Sequence, residues 1–495
     1  MAAASKVKLK LLIDTKNQRV LFAEANKNTV DFLFFILSLP VGTVVRLLRN
    51  KGMLGCLGKL YESVENLDEN YIQPNQSKDA LLKPRPPASS AASIPLLSLT
   101  CSETIDRATY TCSRGSGYCM GRHFTDDTRA ICPVCRFSMT TKMSYVAPPG
   151  VVKEQSGGGG EGGGFVKGLV TYMVMDDLEV KPLSSVSSIA LLDKFNVKEV
   201  GALEEKVVNL GLNEALDLLK TSLESKKVLT DVFLIGKSNP KKNTRGRHRK
   251  GRQILVAEVI MGSSKISLKL LIDTNNNKLL FAEAGKNFVD FLLHILSLPL
   301  GTATRLLREQ ETIGSLENLY HSIENLDEAY IQPNQNKDIL LRPKPPAGAL
   351  VTLWALEDSP KPETAQGKAF YRCGNSSYSC TRHVTDDPRA VCPNCGSTMA
   401  SGVNYVVPPQ TSDSKEGGFV KGATTYMITD DLEVKPMSAI SSIALLNELN
   451  VKNLSALKEK EVDLSMNEAL KLLKESLESK TVLTSVFLDV KSEIP

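Results

Sequence analysis

The sequence predicts an α+β chain of two tandem homologous halves, each built of β-hairpin plus helix lobes interrupted by a cysteine-bearing insert. Three observations predict it. Residues 5–49 align without a gap to residues 264–308, and 32 of those 45 positions are identical. Within each copy, short alternating segments precede apolar runs of helical length. Eight of the ten cysteines fall into two matching quartets, one per copy.

Taking the first copy in order, Val7, Leu9, Leu11 and Ile13 lie on one face of a strand, residues 15–18 form a polar turn, and residues 20–25 return as a second strand. Asn28 followed three residues later by Asp31 reads as a helix start ahead of the apolar run that Pro40 ends. A second helix is expected over 42–49. A third is expected over about 54–67, with Leu57, Leu60, Tyr61, Val64 and Leu67 on one side. The stretch on to Pro87 reads as loop. Beyond the cysteines the order recurs: strand 169–175, a turn at Asp176-Asp177, strand 178–181 and helix 187–195, which suggests a second hairpin-plus-helix lobe in each half. A helix over 213–224 and a closing strand over 228–234 complete the copy.

The domain boundaries that follow are 5–236 for the first half, 237–263 for a basic linker and 264–492 for the second half. The inserts occupy about 108–147 and about 369–407. Lys237 to Arg252 holds eight Lys or Arg and no acid; setting those eight charges aside turns the formal net charge of +5 into −3. Net charge is therefore no argument for a broad nucleic-acid face. The segment reads as a solvated linker or as a nuclear-import or nucleic-acid-contacting stretch. The Gly-rich run 157–164 lacks a Gly-Lys-Ser/Thr ending and reads as a connector.

Cys112, Cys119, Cys132 and Cys135 repeat as Cys373, Cys380, Cys392 and Cys395, each set ending in Cys-Pro-x-Cys. Thiolates at close spacing reach one tetrahedral ion from a tight knuckle, so the quartets read as two structural zinc sites in zinc-ribbon-like inserts. Reduced cysteines packed as small apolar residues, or a redox pair, are the alternatives. His123 and His383 follow each first cysteine pair and could replace a cysteine, support the ligands from outside, or be turn residues. Cys56 and Cys101 have no counterparts in the other copy.

Four thiolates leave no coordination position for water, which argues against catalysis at the metal. The deaminase pattern, with His-x-Glu and Pro-Cys-x-x-Cys, is absent. Asp126-Asp127 and Asp386-Asp387, like Asp176-Asp177 and Asp430-Asp431, read as turn formers or caps. His294, standing where the first copy has Phe35, reads as a satisfied interior or edge histidine. No Walker loop, nucleophile elbow, dinucleotide fingerprint or His-Glu-x-x-His occurs, so neither catalytic residues nor a small-molecule substrate emerge. The first ten residues carry no secretory pattern, and the longest apolar run is too short to span a membrane. An intracellular protein is expected, with cytoplasm and nucleus both open.

Several blocks together, Leu11-Leu12-Ile13-Asp14-Thr15, Leu21-Phe22-Ala23-Glu24-Ala25, Leu37-Ser38-Leu39-Pro40-Val41-Gly42-Thr43, Tyr71-Ile72-Gln73-Pro74 and Tyr172-Met173-Val174-Met175-Asp176-Asp177-Leu178, resemble the plant family called domain of unknown function 674. The resemblance spans nearly the whole chain in both halves and implies a plant protein. That family lends no activity, substrate or catalytic residue. The function expected is a non-enzymatic, zinc-stabilised interaction or scaffold protein with an unidentified protein partner. The alternative is a nucleic-acid-associated protein using the basic linker and the inserts.

Overall fold

Sixteen strands are present among the described residues of the computed structural model, which are 7–52, 55–73, 76–84, 109–112, 122–125, 128, 130–146, 164–197, 199–235, 266–308, 314–332, 335–342, 370–375, 380–385, 388–406, 418–451 and 453–488. In the first copy they are β1 (Val7–Asp14), β2 (Arg19–Ala25), β3 (Thr109–Thr111), β4 (His123–Phe124), β5 (Thr141–Tyr145), β6 (Tyr172–Met175), β7 (Val180–Pro182) and β8 (Leu203–Leu210). In the second they are β9 (Ser267–Asp273), β10 (Lys278–Ala284), β11 (Phe370–Arg372), β12 (His383–Val384), β13 (Ser401–Tyr405), β14 (Tyr426–Thr429), β15 (Val434–Pro436) and β16 (Leu457–Asp463). Cys101, Cys119, Asp126-Asp127, Asp386-Asp387, the glycines 157–163 and the linker 237–263 lie outside the described residues.

The fold is mixed α+β, and its two compact units cut across the tandem halves. One draws on residues 1–100, 164–355 and 418–495; the other draws on 101–163 and 356–417, which are the two inserts. Each unit therefore contains material from both copies.

In the larger unit each copy contributes one five-stranded antiparallel sheet, ordered β7-β6-β2-β1-β8 and β15-β14-β10-β9-β16. Alternation along β1 sends Leu9, Leu11 and Ile13 into a core shared by both copies. The two hairpins of a copy do not form separate lobes, because β2 pairs with β6 in one continuous sheet. The outer sheet face carries a smaller cluster, Leu21, Phe22, Met173 and Met175, under Leu191, Leu192 and Phe195 of the Ser185–Lys194 region.

The helix after β2 spans Lys27–Ile36, and its cap is Asn26 rather than Asn28, with the Asn26 side chain accepting from the Thr29 amide. Asp31 is thereby released from a capping role. It is buried, accepts from the amides of Phe165 and Val166 at 2.7 and 2.9 Å, and pairs with Lys27 Nζ at 2.8 Å. The second copy repeats this with Asp290, Phe419, Val420 and Lys286. Gly164 and Gly418 sit in the left-handed region, φ +105° and +106°, where a Cβ would collide with that carboxylate.

Beyond Pro40 the copies interlace. Pro40 and Pro299 form an antiparallel bridge, with the Val41 amide donating to Leu298 and the Leu300 amide to Leu39. Ser63 Oγ on helix Leu57–Asn66 accepts from the Val434 amide of the second copy, and Ser322 Oγ accepts from the Val180 amide of the first. Ile72 likewise bridges Val420, and Ile331 bridges Val166.

Residues 228–234 are not a strand. They form a short helix, Val228–Thr230, continued by a wider turn over Asp231–Ile235. The Asp176 carboxylate accepts from the Thr230 amide and hydroxyl at 2.7 and 2.8 Å, and its carbonyl accepts from the Val228 amide, so helical donors find partners there. Asp430 repeats the contact with Thr484. The last strand of each copy is instead β8 or β16, an edge strand against β1 or β9. Among the described residues no helix is long and apolar enough to cross a membrane.

The smaller unit contains two three-stranded sheets, ordered β12-β5-β3 and β11-β13-β4. Each mixes the copies: β12 runs parallel to β5, and β13 parallel to β4. Phe124, Met143, Val384 and Val403 form the apolar centre, with the Phe370 ring tilted against Phe124 at a centroid distance of 4.7 Å.

Candidate metal centres

Each Cys-Pro-x-Cys segment folds as a tight turn because its backbone groups close on themselves. Cys132 accepts from the Arg136 amide and donates to Phe137; Cys392 accepts from the Gly396 amide and donates to Ser397, all at 2.9 Å. The residue after the second cysteine must adopt a left-handed conformation, and φ is +60° at Arg136 and +71° at Gly396. Glycine takes this conformation freely. Arginine does so at a cost of roughly 1–2 kcal/mol, so the turn is imposed by its surroundings in the first copy.

Strand β11 delivers Cys373 to the second turn, and the short helix Cys380–Arg382 delivers Cys380. The sulfurs of Cys373, Cys380, Cys392 and Cys395 all lie within 4.8 Å of one another. Tetrahedral zinc–sulfur bonds of about 2.3 Å require sulfurs roughly 3.8 Å apart, so the donor set fits one ion. Cys373, Cys392 and Cys380 are buried, and Cys395 is exposed. In the first copy Cys112, which follows β3, meets Cys132 and Cys135 within the same limit. Three of its four predicted ligands are thus together. The floor of each cluster is small and apolar: Ala130 and Met139 in one, Ala390 and Met399 in the other.

The electrostatics of the second cluster favour a cation. Burial pushes the Cys373 thiol up and the Cys380 thiol up to about 12, while hydrogen bonds from Ser397 hold Cys395 down at about 6. Gathering further negative charge on sulfurs this close needs a compensating positive ion. The amide of Asn375 donates to Cys373 Sγ at 3.4 Å, a contact that strengthens when the sulfur is a metal-bound thiolate.

Neither histidine joins the clusters. His123 lies on β4 and His383 on β12, each with a buried Nδ1 lacking a hydrogen-bond partner, and burial lowers both imidazoles. His383 Nε2 is 3.1 Å from Asn394 Nδ2, within the second knuckle. Arg372 is a further charged residue beside the second centre, with no motif of its own in the sequence. It precedes Cys373, is 3% exposed, and leaves Nε and Nη1 without a hydrogen-bond partner; burial, with the nearby Arg122 charge, lowers its guanidinium. A cation directly before a ligand cysteine was the signal available; the first copy has Thr111 there.

A family model described as protein of unknown function, DUF674, matches the chain twice, over residues 3–258 and 262–495. No curated protein and no solved structure matches it.

Proposed function

Since the chain belongs to the DUF674 family as two tandem copies, we propose that it is a non-enzymatic interaction or scaffold protein whose two inserts are held by structural zinc. The observation that carries this reading is the convergence of Cys373, Cys380, Cys392 and Cys395 within 4.8 Å. The first ion takes Cys112, Cys132 and Cys135, with Cys119 as fourth ligand. Four thiolates close the coordination sphere, so the metal stabilises its module and activates no water. In isolated finger peptides such an ion supplies roughly 10–16 kcal/mol of folding free energy. That is ample for zinc-ribbon-like inserts with so few apolar residues.

Elemental analysis of the purified chain tests it. About two zincs per chain are expected, falling to about one in Cys392→Ser. Iron in place of zinc, or metal well below one equivalent, contradicts the reading.

The run Lys237 to Arg252, with eight cations and no acid, favours a second reading in which the chain also contacts nucleic-acid phosphates. Retention on nucleic acid that weakens with salt and is lost when Arg245, Arg247, Arg249 and Lys250 become Ala would support it. Salt-independent behaviour contradicts it.

A further inference from the structure

We propose that the two metal centres load cooperatively, because each is completed by a valine from the opposite copy; this rests on the zinc reading above. Val406, from the second copy, packs against Cys112, Ala130, Cys132 and Met139 of the first centre. Val146, from the first copy, packs against Cys373, Cys380, Ala390, Cys392 and Met399 of the second. Backbone bonds hold both in place: the Val406 amide donates to Phe124 and the Val146 amide to Val384, each at 2.8 Å.

The route from ion to ion is short. The first ion fixes the turn at Cys132 and Cys135, the chain runs on through Met139 into β5, and β5 ends by delivering Val146 to the second centre. The second ion fixes the turn at Cys392 and Cys395, and β13 delivers Val406 to the first. Each parallel pairing that carries the crossing has a register of only two residues, His383 with Ser144 and Val384 with Tyr145, or Asn404 with His123 and Tyr405 with Phe124. Such short ladders have little stability of their own. Beyond the shared cluster of Phe124, Met143, Val384 and Val403, they rely on the two knuckles to hold their strands. Releasing one ion therefore withdraws an apolar wall from the other, and by reciprocity the coupling is equal in both directions.

The test is a chelator challenge of the zinc-loaded full chain, with cysteine alkylation mapped by mass spectrometry. In Cys392→Ser the remaining zinc at Cys112, Cys132 and Cys135 should be extracted by EDTA roughly fivefold or more readily than in wild type. Val146→Ser and Val406→Ser keep every cysteine and separate coupling from loss of a ligand. Val146→Ser should expose the second-copy cysteines to alkylation first, and Val406→Ser the first-copy cysteines. Variants that expose the cysteines of their own copy, or a Cys392→Ser chain whose first centre keeps wild-type resistance, overturn the proposal and leave the zinc reading intact. Wild-type chain that holds no zinc overturns both.

Discussion

At residue scale His294 shows how a substitution between copies can carry a measurable cost. It occupies an interior position on helix Lys286–Ser297, 3% exposed, where the first copy has Phe35, and Ser297 Oγ lies 3.1 Å from its Nδ1. Burial pushes its imidazole down to about 4 from 6.5. Between those values the unfolded chain binds a proton that the folded chain refuses. The stability His294 permits is therefore present above about pH 6.5 and lost as pH falls through about 4. Urea unfolding at pH 7 and pH 4 should show His294→Phe losing about 3 kcal/mol less than wild type over that interval. Equal losses would contradict the account. The apolar neighbours of His294 left an interior and an edge position both open, whereas the knuckles were legible, because a Cys-Pro-x-Cys turn is decided by adjacent residues. The left-handed Arg136 was not, since arginine gives no local sign of that conformation.

At the scale of elements, short-range patterns were legible and distant partners were not. Alternation located β1 and β2, and Pro40 separated the helices Lys27–Ile36 and Val41–Leu48. Residues 228–234 looked like a strand because they are apolar and partly β-branched. The carboxylate that draws them into a helical turn belongs to Asp176, 54 positions away. Strand β8 escaped notice for the opposite reason, because at the sheet edge most of its side chains are exposed and mark no buried face. Asp31 is the clearest case of an element held from outside, since it joins the start of one helix to the chain returning at Phe165. Asp31→Ala leaves the half-buried Lys27 with only the Val166 carbonyl and leaves two buried amides unpaired. A loss of about 3–5 kcal/mol is expected from the urea midpoint of the full chain. A loss below about 1 kcal/mol, within the range of a surface pair, would contradict that role.

At the scale of the molecule, the repeat was plain and the interlacing was hidden. The likeness of two copies says that each segment has two possible partners and is silent on which is taken. The bridges Pro40 to Pro299, Ile72 to Val420 and Val166 to Ile331, with the shared insert sheets, answer it: copies pair with each other in both units. A chain cut at a protease site inserted within 237–263 should therefore run as one species in size-exclusion chromatography under native conditions. Separation into two free halves would refute the interlacing.

The metal centres can be read directly from the ions themselves. X-ray absorption at the zinc edge of the purified chain should give an average shell of four sulfurs at about 2.3 Å, with cysteine supplying every ligand in both copies. A shell containing nitrogen or oxygen, as His123 or water in the first centre would produce, contradicts two closed thiolate sites.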